Sequence, residues 1–176
     1  IPFINYATTL LAAADASVGV KTAVDTPLET NLIGLFNQPQ KVYIDIAAWN
    51  TLPDRQMRSG MAETIKHACL GSFEMFKFLE QNMDEIMNTQ KFACEYIAEN
   101  NCRIKYDVVM KDERESGLRE TLNLGHTVGR AIETVSDYRL LHGEAVSIGL
   151  VAEVKLSAQL GYMSEEQEHR VISLLE

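Results

Sequence analysis

Residues 55–70 run Arg55-Gln56-Met57-Arg58-Ser59-Gly60-Met61-Ala62-Glu63-Thr64-Ile65-Lys66-His67-Ala68-Cys69-Leu70. Apolar side chains recur at helical spacing, and Pro53 stands just ahead of the stretch, so the spacing predicts an α-helix. The character of the chain changes here. Downstream nearly everything is helix-periodic: 73–81, 92–110, 121–136 and 144–160, the last followed by Gly161 in a suitable C′ position. Ser164-Glu165-Glu166-Gln167 matches a capping box and opens a final helix. Upstream the pattern differs. Ile1–Tyr6 is apolar and predicts a short buried strand, Thr8–Ala14 a short helix, and Lys41–Ile46 (KVYIDI) a second strand. Between them, Val18–Asn37 carries glycines, a proline and polar residues, which predicts loop with short strand pieces. The expected fold is mainly α: a multi-helix domain over 53–176, preceded by strands and loops over 1–52.

Composition narrows the function. The 176 residues are 46% hydrophobic and 23% charged, as expected of a globular domain with a real core. No apolar run approaches the length of a membrane helix. A net charge of −9 argues against nucleic acid or an anionic membrane as partner. Three cysteines, Cys69, Cys94 and Cys102, have neither the number nor the spacing of a disulfide or zinc framework, so each is expected to be a small buried thiol in a reducing cytoplasm. The chain begins inside a strand without an initiating Met and stops inside a helix, so both ends are expected to be cut.

Polar residues concentrate in three segments. In Gly60–His67, Glu63 and Lys66 lie one helical turn apart; taken alone, a surface ion pair is the simpler account. In Arg119–Arg130, a continuous helix would project Asn123, His126 and Arg130 on one side. That run also holds Gly125 and Gly129, each costing about 1 kcal/mol in a helix interior, for which tight packing or a site could compensate. In Leu141-His142-Gly143-Glu144, His142 sits near a helix start, where a turn histidine is the simpler account. Together, one carboxylate and two histidines from three segments can supply a catalytic metal site with an open fourth position. Lys21, Lys66, Lys105, Arg119 and Arg130, if they converge, would suit a phosphate and a carboxylate on a small substrate. His67 points about 100° from Lys66 around the helix and is left out, and His169 is expected at the surface.

These residues resemble the second half of the 3-dehydroquinate synthase family over nearly the whole chain. The resemblance rests on Thr8-Thr9-Leu10-Leu11, Asp15–Gly19 with Lys21-Thr22, Asn31-Leu32-Ile33-Gly34, Gln38-Pro39, and Thr51-Leu52-Pro53. It continues in Ala62-Glu63-Thr64-Ile65-Lys66, Asp112-Glu113 to Glu115, Leu122–Thr127 and Leu141–Ala145. It implies the carboxy-terminal half of a two-domain α/β enzyme, with residues 1–52 completing an NAD-binding half. The implied activity is NAD- and metal-dependent conversion of 3-deoxy-D-arabino-heptulosonate 7-phosphate to 3-dehydroquinate, with phosphate elimination. It assigns Glu63, His126 and His142 to zinc or cobalt. Lys66, Lys105, Arg119, Asn123, Glu115, Arg130 and Lys21 go to the catalytic cleft, and Thr8, Thr9, Asp15, Asn31 and Thr51 to the cofactor. It further implies a homodimer, a small phosphorylated sugar-acid substrate and a cytoplasmic location.

Three positions depart from the family's pattern: Val20 replaces the second glycine of Gly-Gly-Lys, Glu29-Thr30 replaces Gly-Lys before Asn31, and Arg130 replaces a histidine. The family's glycine-rich pyrophosphate turn has no counterpart here, so the 176 residues alone are not expected to turn over substrate. Another sugar-phosphate cyclase, of valiolone or inosose type, is the nearest alternative. An iron- or zinc-dependent alcohol dehydrogenase and a degenerate, non-catalytic module stand further off.

Overall fold

The computed structural model describes residues 1–24, 26, 32–113 and 115–176. Four short strands precede six α-helices: β1 (Ile4–Ala7), β2 (Lys21–Val24), β3 (Ile33–Phe36), β4 (Lys41–Ile44), α1 (Asp54–Gly71), α2 (Phe73–Met87), α3 (Lys91–Lys111), α4 (His126–Val135), α5 (His142–Gln159) and α6 (Glu165–Leu175). A π-helical turn covers Ala12–Ala16, and 3-10 turns cover Ile46–Thr51 and Leu118–Asn123. β1 and β4 pair in parallel, Ile4 opposite Lys41. β2 and β3 form an antiparallel hairpin, Lys21 opposite Phe36, inside the stretch expected to be loop with strand pieces.

α1 is the central post. α2, α3, α5 and α6 all pack on it, as does the turn at 12–16. Every residue from Ser59 to Ala68 is buried, polar ones included. The apolar core runs from Leu10 and Trp49 through Met61 and Ile65 to Leu79 and Ile97. Full burial of side chains of this size contributes about 1.5–3 kcal/mol each.

Four expectations are corrected. The Glu63–Lys66 pair lies in the interior rather than on a surface, because helices cover α1 on every side. β1 is not a buried strand: Ile4 and Tyr6 are exposed, since its sheet has only two strands among the described residues. The helix expected over 73–81 continues to Met87 through a kink at Asn82, whose side-chain amide donates to the Phe78 carbonyl (2.8 Å). Of the three thiols, Cys94 is buried and Cys102 half-buried, but Cys69 is exposed near the end of α1. Among the described residues no helix is long and apolar enough to cross a membrane.

Candidate metal centre

Three helices meet where Glu63, His126 and His142 face one another. Glu63 lies in the buried middle of α1; His126 opens α4 and His142 opens α5. Glu63 Oε1 is 3.7 Å from His126 Nε2 and 3.5 Å from His142 Nε2. The imidazoles meet at 60° with centroids 5.2 Å apart. One donor atom from each residue lies within 4.8 Å of the other two.

The set fits a divalent ion. Zinc bonds of about 2.0–2.1 Å place the donors of one tetrahedron about 3.3–3.4 Å apart, close to the observed spacing. Glu63 is fully buried, and neither of its carboxylate oxygens makes a well-directed hydrogen bond, although Lys66 ion-pairs Oε2. A buried carboxylate with an unsatisfied oxygen between two imidazole nitrogens suits a cation better than a purely structural role.

The electrostatics agree at Glu63 and His126. Burial opposes the Glu63 charge, but the His142 contact and Lys66 outweigh it and hold the carboxyl well below its ordinary range. Burial, then Lys66, depresses His126, which favours the neutral ring a ligand needs. His142 is raised, first by its contact with Glu63.

Glycines let the helices approach closely enough to assemble this set. The helix expected over 121–136 is broken: the 3-10 turn ends at Asn123, and Gly125 adopts φ +78° before α4 begins. That turn aims the Gly125 N–H at Glu153 Oε2 (2.7 Å) and sets His126 on the first turn of α4. Asn123, His126 and Arg130 therefore do not share one helical face. Gly143 explains the glycine after His142: a Cβ there would lie 1.8 Å from the Ser59 carbonyl oxygen. Its N–H donates to Ser59 Oγ (3.0 Å), docking the start of α5 on α1.

The five cations separate into two groups. Lys66, Lys105 and Arg119 are buried. Lys105 binds the side chain and carbonyl of Asp15, whose carboxyl burial would raise but Lys105 and Lys66 depress. Arg119 donates to the Glu113 carbonyl (2.8 Å). Lys21 and Arg130 instead line an open cavity of about 910 Å³ with Glu115, Asn123 and Glu120. There Lys21 pairs with Glu115 and depresses its carboxyl, Asn123 donates to Glu115 Oε1 (3.4 Å), and Arg130 donates to Asn123 Oδ1 (3.4 Å).

The residues expected at the cofactor behave differently. Thr9 Oγ1 accepts from the Ala12 N–H (3.1 Å), and Thr51 donates to the Ala48 carbonyl (3.0 Å), so both close their own turns. Thr8 is exposed. Asn31, with Glu29 and Thr30, lies outside the described residues. Val20 is buried, its side chain filling space that a glycine would leave open.

Sequence reasoning missed Ser59, Arg55 and Glu133. Arg55 grips Glu144 through two bonds (2.6 and 2.7 Å) and the Arg139 carbonyl (3.0 Å), holding the α4–α5 connection against α1. Glu133 touches His142 and stands two helical turns after His126, a spacing that by itself does not separate it from a solvated glutamate.

The family model described as 3-dehydroquinate synthase C-terminal matches residues 60–176, and the one described as 3-dehydroquinate synthase N-terminal matches residues 1–59. The chain belongs to the 3-dehydroquinate synthase family. It is 44% identical to the 3-dehydroquinate synthase of Acetivibrio thermocellus over 100% of its length and 49% of that protein's. It is 48% identical to that of Thermodesulfovibrio yellowstonii over 99% of its length and 49% of that protein's. The chain thus spans about half the length of the curated 3-dehydroquinate synthases it matches. Among solved structures it resembles the 2-epi-5-epi-valiolone synthase of Streptomyces hygroscopicus with NAD+ and Zn2+ bound. That match has a TM-score of 0.91 and 28% identity over 99% of this chain and 50% of the other. A 2-deoxy-scyllo-inosose synthase complexed with carbaglucose-6-phosphate, NAD+ and Co2+ matches at TM-score 0.90 and 27% identity, over 99% of this chain and 49% of the other.

Proposed function

We propose that the chain supplies the metal- and substrate-binding part of a cytoplasmic, homodimeric 3-dehydroquinate synthase. Its reaction is the conversion of 3-deoxy-D-arabino-heptulosonate 7-phosphate to 3-dehydroquinate with loss of phosphate. The observation that carries the proposal is the buried Glu63–His126–His142 set, joined by family membership to a chemistry that needs it. In this reading those three residues hold zinc or cobalt, which would supply Lewis acidity toward a substrate hydroxyl and the adjacent carbonyl. The residues assigned to NAD in this reading are Thr8, Thr9, Asp15, Asn31 and Thr51, and the cofactor would supply reversible hydride chemistry.

The protein's own groups set charge and position. Lys66 neutralises the Glu63 carboxylate from within α1. Lys105 and the partly exposed Asp15 form a pair able to orient substrate hydroxyls, and Arg119 stands beside them: a Cβ on Gly19 would lie 3.4 Å from its Nη2 and 3.9 Å from Lys105 Cε. Lys21 and Arg130, on the wall of the open cavity, suit a phosphate dianion, with Asn123 and Glu115 tying them together. Arg130 keeps a positive charge where the family pattern has histidine, which suits it to a phosphate.

A valiolone- or inosose-type cyclase is the second reading, supported by the two solved structures named above. The higher identity to 3-dehydroquinate synthases, 44–48% against 27–28%, favours the first. The test is phosphate release by the intact natural polypeptide given NAD, zinc and either the seven-carbon acid phosphate or sedoheptulose 7-phosphate. Release from the acid phosphate alone is expected. Release from sedoheptulose 7-phosphate alone would replace the substrate assignment while leaving the metal site standing.

A further inference from the structure

Outside the ligand set and the open cavity, one carboxylate addresses the site from behind. Glu133, two turns into α4, places both oxygens against His142 Nδ1, at 3.3 and 3.4 Å. His142 Nε2, on the opposite side of the ring, faces Glu63 Oε1 at 3.5 Å. His126 is held in the same sense, its Nδ1 against the Leu124 carbonyl oxygen at 3.1 Å and its Nε2 toward Glu63. A carbonyl and a carboxylate can only accept, so each suits a ring proton on Nδ1, and both Nε2 atoms would then be free to face a cation held with Glu63. The two helices thus solve one problem with different groups: the backbone bend before α4 serves His126, and a side chain from α4 serves His142.

We propose that Glu133 is a positioning residue that locks the tautomer and orientation of His142 for metal binding. This rests on the metal-site reading above. Its expected weight is that of an outer-sphere partner of a ligating histidine, a 10–100-fold effect on metal affinity. Glu133 is only 18% exposed at its side chain and sits on the same helix as His126, so it couples the two histidine ligands through one rigid element.

The test measures zinc affinity by competition with a chromophoric chelator, in the intact natural polypeptide, for wild type, Glu133→Gln and Glu133→Ala. Glu133→Ala should weaken zinc by 10–100-fold. Glu133→Gln should weaken it less, because its amide oxygen can still accept from Nδ1–H. The metal-free proteins should melt together. Equal zinc affinity in wild type and Glu133→Ala overturns the proposal, as does a parallel loss in both variants accompanied by lower metal-free stability. Absence of stoichiometric zinc in the wild type overturns the metal-site reading itself and the proposal with it. Nitrogen-15 spectra of the zinc-loaded wild type need no variant to fold: His142 bound to zinc through Nε2 and protonated on Nδ1 is expected, and the reverse overturns the proposal.

Discussion

His67 shows what burial does to a titrating side chain. Its ring is wholly enclosed, its Nδ1 lies 3.0 Å from Asn101 Oδ1, and Asn101 in turn donates to Thr64 Oγ1 (3.0 Å). Burial, reinforced by Lys66, lowers its pKa from 6.5 to about 4. The folded state therefore binds fewer protons than the unfolded state between those values. The resulting stability is present above pH 6.5 and is lost as pH falls toward 4, a swing of about 3 kcal/mol at 1.36 kcal/mol per unit. Metal-free wild type and His67→Gln, unfolded in urea across that window, should differ by a gap that shrinks by this order; a constant gap would mean that His67 is not buried neutral. At the metal set, His126→Ala should abolish stoichiometric zinc measured by mass spectrometry, and zinc retained at one per chain would reassign the ligands. The grouping of Glu63, His126 and His142 was legible because carboxylate and imidazole carry few other reasons to recur among glycines. Glu133 was not, because a glutamate on a helix face looks the same whether solvent or a histidine lies beyond it. His67 escaped for a related reason: a helical pattern gives a direction, not the number of neighbours waiting in that direction.

At the scale of elements, glycine chemistry governs how α1, α4 and α5 meet. Gly149 repeats the arrangement at Gly143: a Cβ on it would lie 1.9 Å from the Gly125 carbonyl oxygen. Gly143→Ala has no flexible side chain to displace, only the backbone of Ser59, so it should cost about 2 kcal/mol or more and move His142 outward. Thermal unfolding together with a zinc titration would test this; an unshifted melting temperature would mean that the α1–α5 contact is looser than described. Arg55→Ala should do less to stability. Its partner contacts are ideal in form, but the arginine side chain is 58% exposed, and solvent screens a pair of this kind. Helix existence was legible throughout, as was the capping box at Ser164, whose two reciprocal bonds form (3.2 and 2.9 Å). The break at Gly125 was harder to see, because a glycine inside an apolar-periodic run is equally consistent with close packing and with a left-handed turn.

Across the whole molecule, the helices share one buried core while the strands stay largely outside it. Val24, Ile33, Leu35 and Phe36 on the hairpin, and Ile4, Tyr6 and Tyr43 on the parallel pair, all present apolar surface. Two-stranded sheets of this kind are marginal alone, and apolar surface gathered on strands with open edges favours association. The isolated 176 residues should therefore self-associate in light scattering and bind a hydrophobic dye, while the intact polypeptide should do neither; a monodisperse, dye-silent fragment would refute this. The fold class was legible at this scale, but strand exposure was not, since alternation in a sequence marks which face is apolar and not what covers it. One consequence of the central post concerns time rather than geometry. Glu63 on α1 lies far along the chain from His126 and His142 on the consecutive helices α4 and α5, so no partly folded species that lacks the α1–α4–α5 junction can grip an ion with all three. The ion cannot guide the chain to its shape; it can only delay the loss of that shape. Chelation should accordingly leave the refolding rate unchanged and shorten the lifetime of the native state.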